Sequence, residues 1–446
     1  MHTLLHNKQT FHWMVLVALF FPIAVSAQQA SSDSLLSSAN LEQVIQYALV
    51  HQPAVQQAGI DEEITNKAIK GKLADWYPQI NFTYNYQRFF DLQTIVFAGN
   101  AVRSGVINSS AAQFTATQTI FNRDVLLASN TASKVRIQAQ LNTSRSKIDV
   151  TVNVTKAFYD VLATSQQINV NKESIVRLQR SLNDAYSRYT SGVSDKTDYK
   201  RATILLGNAK ASLKTSEESL RYKEEYLKAL IGYPVGNELP LNYDTLQMEK
   251  EIYIDTLQQI SYPAHIDYKI LYTQKELQEA NVKYSYWAFL PSLNAFGAYN
   301  LNYQNDSFGE LYNTRYPYSY VGATLTLPIF QGGKRIAKIK EQKLARERID
   351  VGLTNLENTL NTEYTRALAS YKSNLENFLT QKENVELARE VYDVIQLQYL
   401  NGVRTYLDVT IAESDLRTTR INYYNALYQI LASKMDVARA LGQINY

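Results

Sequence analysis

Polar and apolar positions along this chain follow two different periods, and the places where the period changes mark out the elements. From Asn122 to Ser191 there is neither Gly nor Pro, and from Gln331 to the end there is no Pro and few Gly, so each stretch can run as a very long helix. Within the first, Ile175, Leu178, Leu182, Ala185 and Tyr189 follow a 3-4-3-4 spacing; Val385, Ala388, Tyr392, Ile395 and Tyr399 do the same in the second. These are heptad a and d positions, the seam of a left-handed coiled coil. After a Gly-Val turn the pattern resumes at Tyr199, Ala202, Leu206, Ala209 and Leu213, and again at Val409, Ala412, Leu416, Thr419 and Tyr423. Each stretch is therefore predicted as a long helix, a tight turn and a shorter returning helix. At 1.5 Å per residue the helix from Asn122 to about Tyr189 spans on the order of 100 Å, so it must pack along its length against other helices.

Before each long helix the period drops to two. Ile80, Phe82, Tyr84 and Tyr86 alternate with Gln79, Asn81, Thr83, Asn85 and Gln87. Phe114, Ala116 and Ile120 alternate more weakly with Thr115, Thr117 and Thr119, because Gln118 sits on the wrong side. Leu293, Ala295, Tyr299, Leu301 and Tyr303 alternate with Ser292, Asn294, Asn300 and Asn302, with Phe296 intruding; Val321, Ala323, Leu325, Leu327 and Ile329 alternate with Tyr320, Thr324 and Thr326. Strands of about ten residues with an apolar and a polar face suit a membrane barrel, or else a half-buried sheet of a soluble domain. The pattern gives two hairpins, hence four strands, with long connections at Asp91 to Ala112 and Gln304 to Pro317. An open four-stranded sheet in lipid would expose unpaired edge groups, so one chain cannot make the barrel. Two chains give eight strands and a filled interior, three give twelve and a lumen; the polar row favours the lumen, and a homotrimer is inferred.

The chain also repeats itself. Tyr189-x-x-Gly192-Val193-x4-Asp198 recurs as Tyr399-x-x-Gly402-Val403-x4-Asp408 at an offset of 210. Ile120-Phe121 answers to Ile329-Phe330, Gly232 to Gly442, and Trp76-Tyr77-Pro78 to Phe289-Leu290-Pro291 at nearly the same spacing. The expected organisation is a first repeat over 28–231 (strand hairpin about 79–121, helical hairpin about 122–231), a connector over 232–262 bearing Pro, Gly and acidic residues, and a second repeat over 263–446 (strand hairpin about 292–330, helical hairpin about 331–446).

Composition narrows the function classes. Lys+Arg 45 against Asp+Glu 42 offers no electrostatic case for nucleic acid. With no Cys there is no disulfide, thiolate metal site, thiol nucleophile or lipoprotein cysteine. Of five His, three fall in the N-terminal segment, leaving His51 and His265; no H-E-x-x-H or G-x-S-x-G occurs, and Gly332-Gly333-Lys334 lacks the remainder of a phosphate loop. No enzymatic activity, cofactor or metal is expected. The 33 Tyr suit membrane interfaces or a Tyr-rich helical seam. Trp13 to Val25 is an apolar run followed by Val25-Ser26-Ala27; it is shorter than the roughly 20 residues a spanning helix needs and reads as a secretory signal peptide over 1–27, with the mature chain beginning at Gln28. Beyond it no run of 18 apolar residues occurs, so any entry into a membrane is as strands.

With these features in order, the sequence resembles the TolC family of outer membrane efflux proteins. The resemblance is carried by Leu41-Glu42-Gln43-Val44-Ile45 with Pro53, the Tyr-Pro and Leu-Pro strand entries, Leu327-Pro328-Ile329-Phe330 with Gly332-Gly333, and both Tyr-x-x-Gly turns. It implies a chain that is mostly α with membrane β, trimers with a shared twelve-stranded barrel in the outer membrane and a helical tunnel in the periplasm. Members serve as exit ducts of tripartite efflux pumps or type I secretion systems, working with a periplasmic adaptor and an inner-membrane transporter. The resemblance also implies a periplasmic gate at the tips, held by Tyr399 and Arg404 of the second tip against Asp198 and Thr197 of the first. It places a pore constriction at Asp408, whose companion Asp three residues on is Ile411 here, and adaptor docking beside Gly192, Val193, Gly402 and Val403. Each residue has a plainer reading: Tyr399 as a seam residue, Asp198 and Asp408 as helix caps, the glycines as left-handed turn residues. The rival functions are a periplasmic coiled-coil adaptor and a hydrolase in the connector, whose Glu249, Glu251 and Asp255 read as unpaired.

Overall fold

The computed structural model describes residues 38–446, so the expected signal peptide and its cleavage site lie outside the described residues. In chain order the elements are α1 (Leu41–His51), α2 (Pro53–Leu73), β1 (Gln79–Arg88), β2 (Thr94–Phe97), β3 (Asn100–Arg103), β4 (Asn108–Phe121), α3 (Arg123–Thr190), α4 (Lys196–Ile231), α5 (Thr245–Lys250), α6 (Ile266–Tyr286), β5 (Ser292–Asn305), β6 (Arg315–Thr326), α7 (Lys334–Leu400) and α8 (Tyr406–Ala440). Among the described residues no helix is long and apolar enough to cross a membrane.

The long helices begin where a cap is available. Asn122 is extended and its Oδ1 accepts the Asp124 N–H at 2.7 Å, satisfying one of the free donors that open α3. α3 then runs for 68 residues with α4, α8, α2, α6 and α1 packed along it. The main core lies where α1, α3, α4, α7 and α8 meet the connector: Phe158, Leu162, Leu227, Ile231, Tyr371, Phe378, Leu427 and Ile430 are all buried there. The connector is bound into this core. Tyr371 Oη donates to the Ile252 carbonyl at 2.9 Å and accepts from the Ile254 N–H at 3.2 Å, while Ala39 exchanges backbone hydrogen bonds with Pro240 and Asn242. Its acidic residues are engaged, contrary to the expectation from sequence. Glu249 holds Lys382 and Tyr423, Glu251 accepts from Gln247, and Asp255 accepts the Leu257 N–H.

The sheet order is β1-β4-β5-β6, all antiparallel, so two hairpins are joined side by side through β4 and β5. The expectation of only four strands needs one correction. The connection after β1 contains a second ladder, β2 against β3, turning at Ala98 and Gly99, which have φ of 50° and 82°. Four-residue strands are too short for alternation to reveal them, and the Ala-Gly turn was the available signal. The two irregular positions also find reasons. Gln118 Nε2 reaches the Trp76 carbonyl, and the register slips between Thr119 and Phe121.

Register assigns the faces. Tyr84, Ala112, Leu301 and Pro317 lie in one cross-strand row, and Asn85, Ala111, Asn302 and Tyr316 lie in the next. The apolar rows are open: Ile80 is 75% and Val321 89% exposed, with Phe82, Phe114, Tyr299 and Leu325 also exposed. Such a band on a sheet with two free edges cannot be the surface of a finished soluble domain.

Candidate functional site

The structure builds two candidate working ends, the paired helical tips and the sheet. At the first tip Ser191 ends α3 and Gly192 takes φ 72°, which lets the Gly192 N–H reach the Tyr189 carbonyl (3.0 Å) and the Val193 N–H the Arg188 carbonyl (2.9 Å). The second tip repeats this with Gly402 at φ 78°, Gly402 N–H to Tyr399 O (3.0 Å) and Val403 N–H to Gln398 O (2.8 Å). Both are helix stops that favour glycine because a left-handed residue satisfies the last free carbonyls. Val193 and Val403 project at each apex, 71% and 72% exposed.

The returning helices are capped differently. α4 starts at Asp195, whose Oδ1 accepts the Thr197 N–H at 3.1 Å, so Asp195 rather than Asp198 is the cap. α8 starts with a capping box: Asp408 Oδ2 accepts from Thr405 N (3.0 Å) and Thr405 Oγ1 (2.8 Å). Those hydrogen bonds hold the Asp408 carboxyl below its usual range.

Tyr399 is 5% exposed, its ring edge-on to Tyr406 at 5.8 Å, and its hydroxyl has no hydrogen-bond partner. Burial pushes its pKa up, with the Arg188 charge opposing and Asp198 reinforcing. No hydrogen bond within the protomer joins Tyr399 or Arg404 to Thr197 or Asp198; Arg404 Nε instead donates to Gln398 Oε1 at 3.2 Å.

Two features of this end were missed by sequence reading. Arg188 of α3 caps α7: its Nη2 donates to the carbonyls of Leu400 (3.1 Å) and Tyr399 (3.5 Å), and its guanidinium stands 4.7 Å from the Tyr399 ring centroid. A cation at a helix C-terminus completes the free carbonyls and opposes the helix dipole. Further from the tip, Glu413 of α8 is 5% exposed and accepts from Ser174 Oγ (2.6 Å) and Arg177 Nη2 (3.3 Å) of α3. Burial pushes the Glu413 pKa up against the pull of Ser174 and Arg177. Three more ion pairs continue this antiparallel ladder between α3 and α8: Glu173 with Arg420, Lys156 with Asp436, and Asp149 with Arg439. A basic residue in a last helical turn was a visible signal for Arg188. Nothing local marks Glu413, whose partners lie 236 and 239 residues away.

Among the described residues no group of three or more His, Asp or Glu stands together to hold a metal ion. What the described residues offer is two long helical hairpins carrying tips at one end and an unclosed amphipathic sheet at the other.

Comparison with known proteins agrees with this architecture. The model of the outer membrane efflux protein family matches residues 44–233 and 273–443. The chain is 21% identical over 436 residues to outer membrane protein TolC of Escherichia coli strain K12, covering 95% of this chain and 86% of that protein. It is likewise 21% identical over 437 residues to TolC of Vibrio cholerae, covering 95% of each. Among solved structures, the Campylobacter jejuni CmeC outer membrane channel superposes with a TM-score of 0.73 at 16% identity, over 90% of this chain and 85% of that one. Long helices ending in paired tips, a four-stranded share of a membrane barrel and a family match over most of its length together make this chain a member of the outer membrane efflux protein family, an efflux channel of the outer membrane with a long helical periplasmic portion.

Proposed function

We propose that the chain is the passive, gated exit duct of a tripartite efflux or type I secretion system, working as a homotrimer with a periplasmic adaptor and an inner-membrane transporter. The observation that carries this is the sheet. Its apolar face is exposed, its two edges are unpaired, and it continues into helices about 100 Å long, so closure by identical copies gives a membrane barrel standing on a helical tunnel. Such a chain breaks no bond and needs no cofactor or nucleic acid; its partners supply the energy. The tandem arrangement read from the sequence, two repeats around a connector at 232–262, supplies the two helical hairpins of each protomer.

At the periplasmic end we assign the gate to Thr197, Asp198, Tyr399 and Arg404. Within one protomer Arg404 donates to Gln398 and its charge acts on the nearby Asp408 carboxylate; its partner across the gate is assigned to the first tip of the neighbouring copy. Asp408, half-buried beside it, forms the constriction, and Gly192, Val193, Gly402 and Val403 form the apices on which the adaptor docks. Ion pairs at a wet tip contribute about 1 kcal/mol or less each, so adaptor contacts of ordinary size suffice to open it.

The experiment is conductance in planar bilayers. Arg404→Ser with Tyr399→Phe should raise single-channel conductance above the wild-type resting value, and unchanged conductance would reduce both residues to helix packing. An adaptor, the rival role, would wash from membranes at high salt, whereas the duct requires detergent.

A further inference from the structure

The strand register gathers a cluster of rings onto the face that carries the polar row. Tyr316, Tyr318 and Tyr320 of β6 pair with Asn302, Asn300 and Ala298 of β5, and so share the face that carries Asn81, Thr83 and Asn85 on β1. That face is opposite the apolar band, so in a closed barrel it lines the lumen. No charged residue occupies it on any of the four main strands.

Phe296, the residue that breaks the polar alternation of β5, belongs to the same face. It lies opposite Gly322, and a Cβ at Gly322 would stand 2.7 Å from the Phe296 ring, so the ring occupies the space that a side chain there would fill. Phe296 meets Tyr320 edge-on at 6.1 Å and 72°; Tyr320 in turn stacks with Tyr318 at 6.2 Å and 15°. Tyr316, Tyr318 and Tyr320 are each about half exposed, at 53%, 51% and 45%. Asn300, opposite Tyr318, is 2% exposed and its Nδ2 has no hydrogen-bond partner, leaving a donor beside the rings.

We propose that Tyr316, Tyr318, Tyr320 and Phe296 form a cargo-contact track on the lumen wall, repeated in each protomer, that takes planar aromatic molecules in transit. An uncharged wall of amides and hydroxyls attracts no cargo by net charge. Phe296, Tyr320 and Tyr318, separated by the 4.5–7 Å typical of aromatic pairs, with Tyr316 next along the same face, accept a further flat ring at their open faces, and hydroxyl and amide groups at the margin serve the polar edges of that ring. The contact is weak by design of its chemistry, as a duct requires, since cargo that bound tightly would not leave.

This inference rests on the exit-duct reading, and the test separates the two. The trimer is reconstituted in nanodiscs and titrated into ethidium, a planar aromatic probe, with binding read by fluorescence anisotropy after subtraction of empty nanodiscs. Replacing the three tyrosines together (Tyr316→Ser, Tyr318→Ser, Tyr320→Ser) should weaken binding roughly threefold to tenfold, the equivalent of one aromatic contact. The matching triple substitution to Phe should bind as wild type, because the rings remain. Equal binding by wild type and the Ser variant would overturn the track, as would a Phe variant as weak as the Ser variant. Where the triple Ser variant does not assemble, Tyr318→Ser at the centre of the row carries the same expectation. Planar-bilayer conductance of the same preparations tests the duct itself; a wild type without conductance would overturn both readings.

Discussion

α3 and α7 have the same length within one residue, the same heptad spacing and the same kind of glycine stop, yet they live in different surroundings. α3 buries 20 residues within the protomer, α7 only seven, and α7 leaves Leu344, Val351, Leu387, Val391 and Val394 exposed. Periodicity in sequence specifies a helix and its apolar stripe; what covers that stripe is decided by neighbours. α3 is surrounded by helices of its own chain, whereas α7 meets chiefly α8 and α6 and leaves an apolar row uncovered. The asymmetry therefore locates the protomer's own core along α3 and its uncovered apolar surface along α7.

Damage to each helix in turn separates the two surfaces. Phe158→Ala, at a fully buried α3 position, should cost about 3–5 kcal/mol of protomer stability, read by denaturant unfolding in detergent. Val391→Lys on α7 should leave protomer unfolding nearly unchanged while abolishing the trimer on size exclusion. If Val391→Lys destabilised the protomer as much as Phe158→Ala did, the assignment of the two faces would be wrong.

Next in size is the clasp between α3 and α8. Glu413→Ala removes the nearer of the two carboxylates that Arg177 meets, leaving Glu173 at 3.8 Å, and should cost about 1–3 kcal/mol. A carboxyl whose folded-state pKa is raised contributes stability that is fully present below its unfolded value near 4.5 and lost as pH rises through the folded value. The midpoint of wild type relative to Glu413→Gln should therefore fall as pH is raised from about 4 to about 7, measured by thermal unfolding. A difference that stayed flat, or rose with pH, would contradict the burial of that charge.

How much of this was legible beforehand follows from the range of each signal. The long helices and both tips were readable because Gly- and Pro-free runs, 3-4 spacing and a Gly after the last turn are local. All four main strands were readable for the same reason, but the starts of β4 at Asn108 and of β6 at Arg315 fall inside the expected connections, and β6 ends at Thr326 rather than continuing to Ile329; Pro317 argues locally against a strand. The lumen-side position of Tyr316 and Tyr318 depends on pairing with β5, and the Glu413 clasp on packing of helices distant in sequence; neither leaves a local trace. Arg188 lies between these cases: its place in a last turn was visible, but the helix it caps belongs to the other hairpin.

The smallest effect distinguishes the two tips. Thr405→Ala removes the reciprocal box that opens α8, and Asp195→Ala the single bond that opens α4, so the first should cost about 1 kcal/mol and the second no more than that. Amide exchange at the start of each helix reads both. Equal protection losses would mean that the box adds nothing beyond one hydrogen bond.

Whether copies of this chain close one gated channel is read most directly from the mass and bilayer conductance of the detergent-extracted protein. A heat-sensitive trimer with low resting conductance is expected. A monomer released without detergent, or particles with no channel activity, would contradict it.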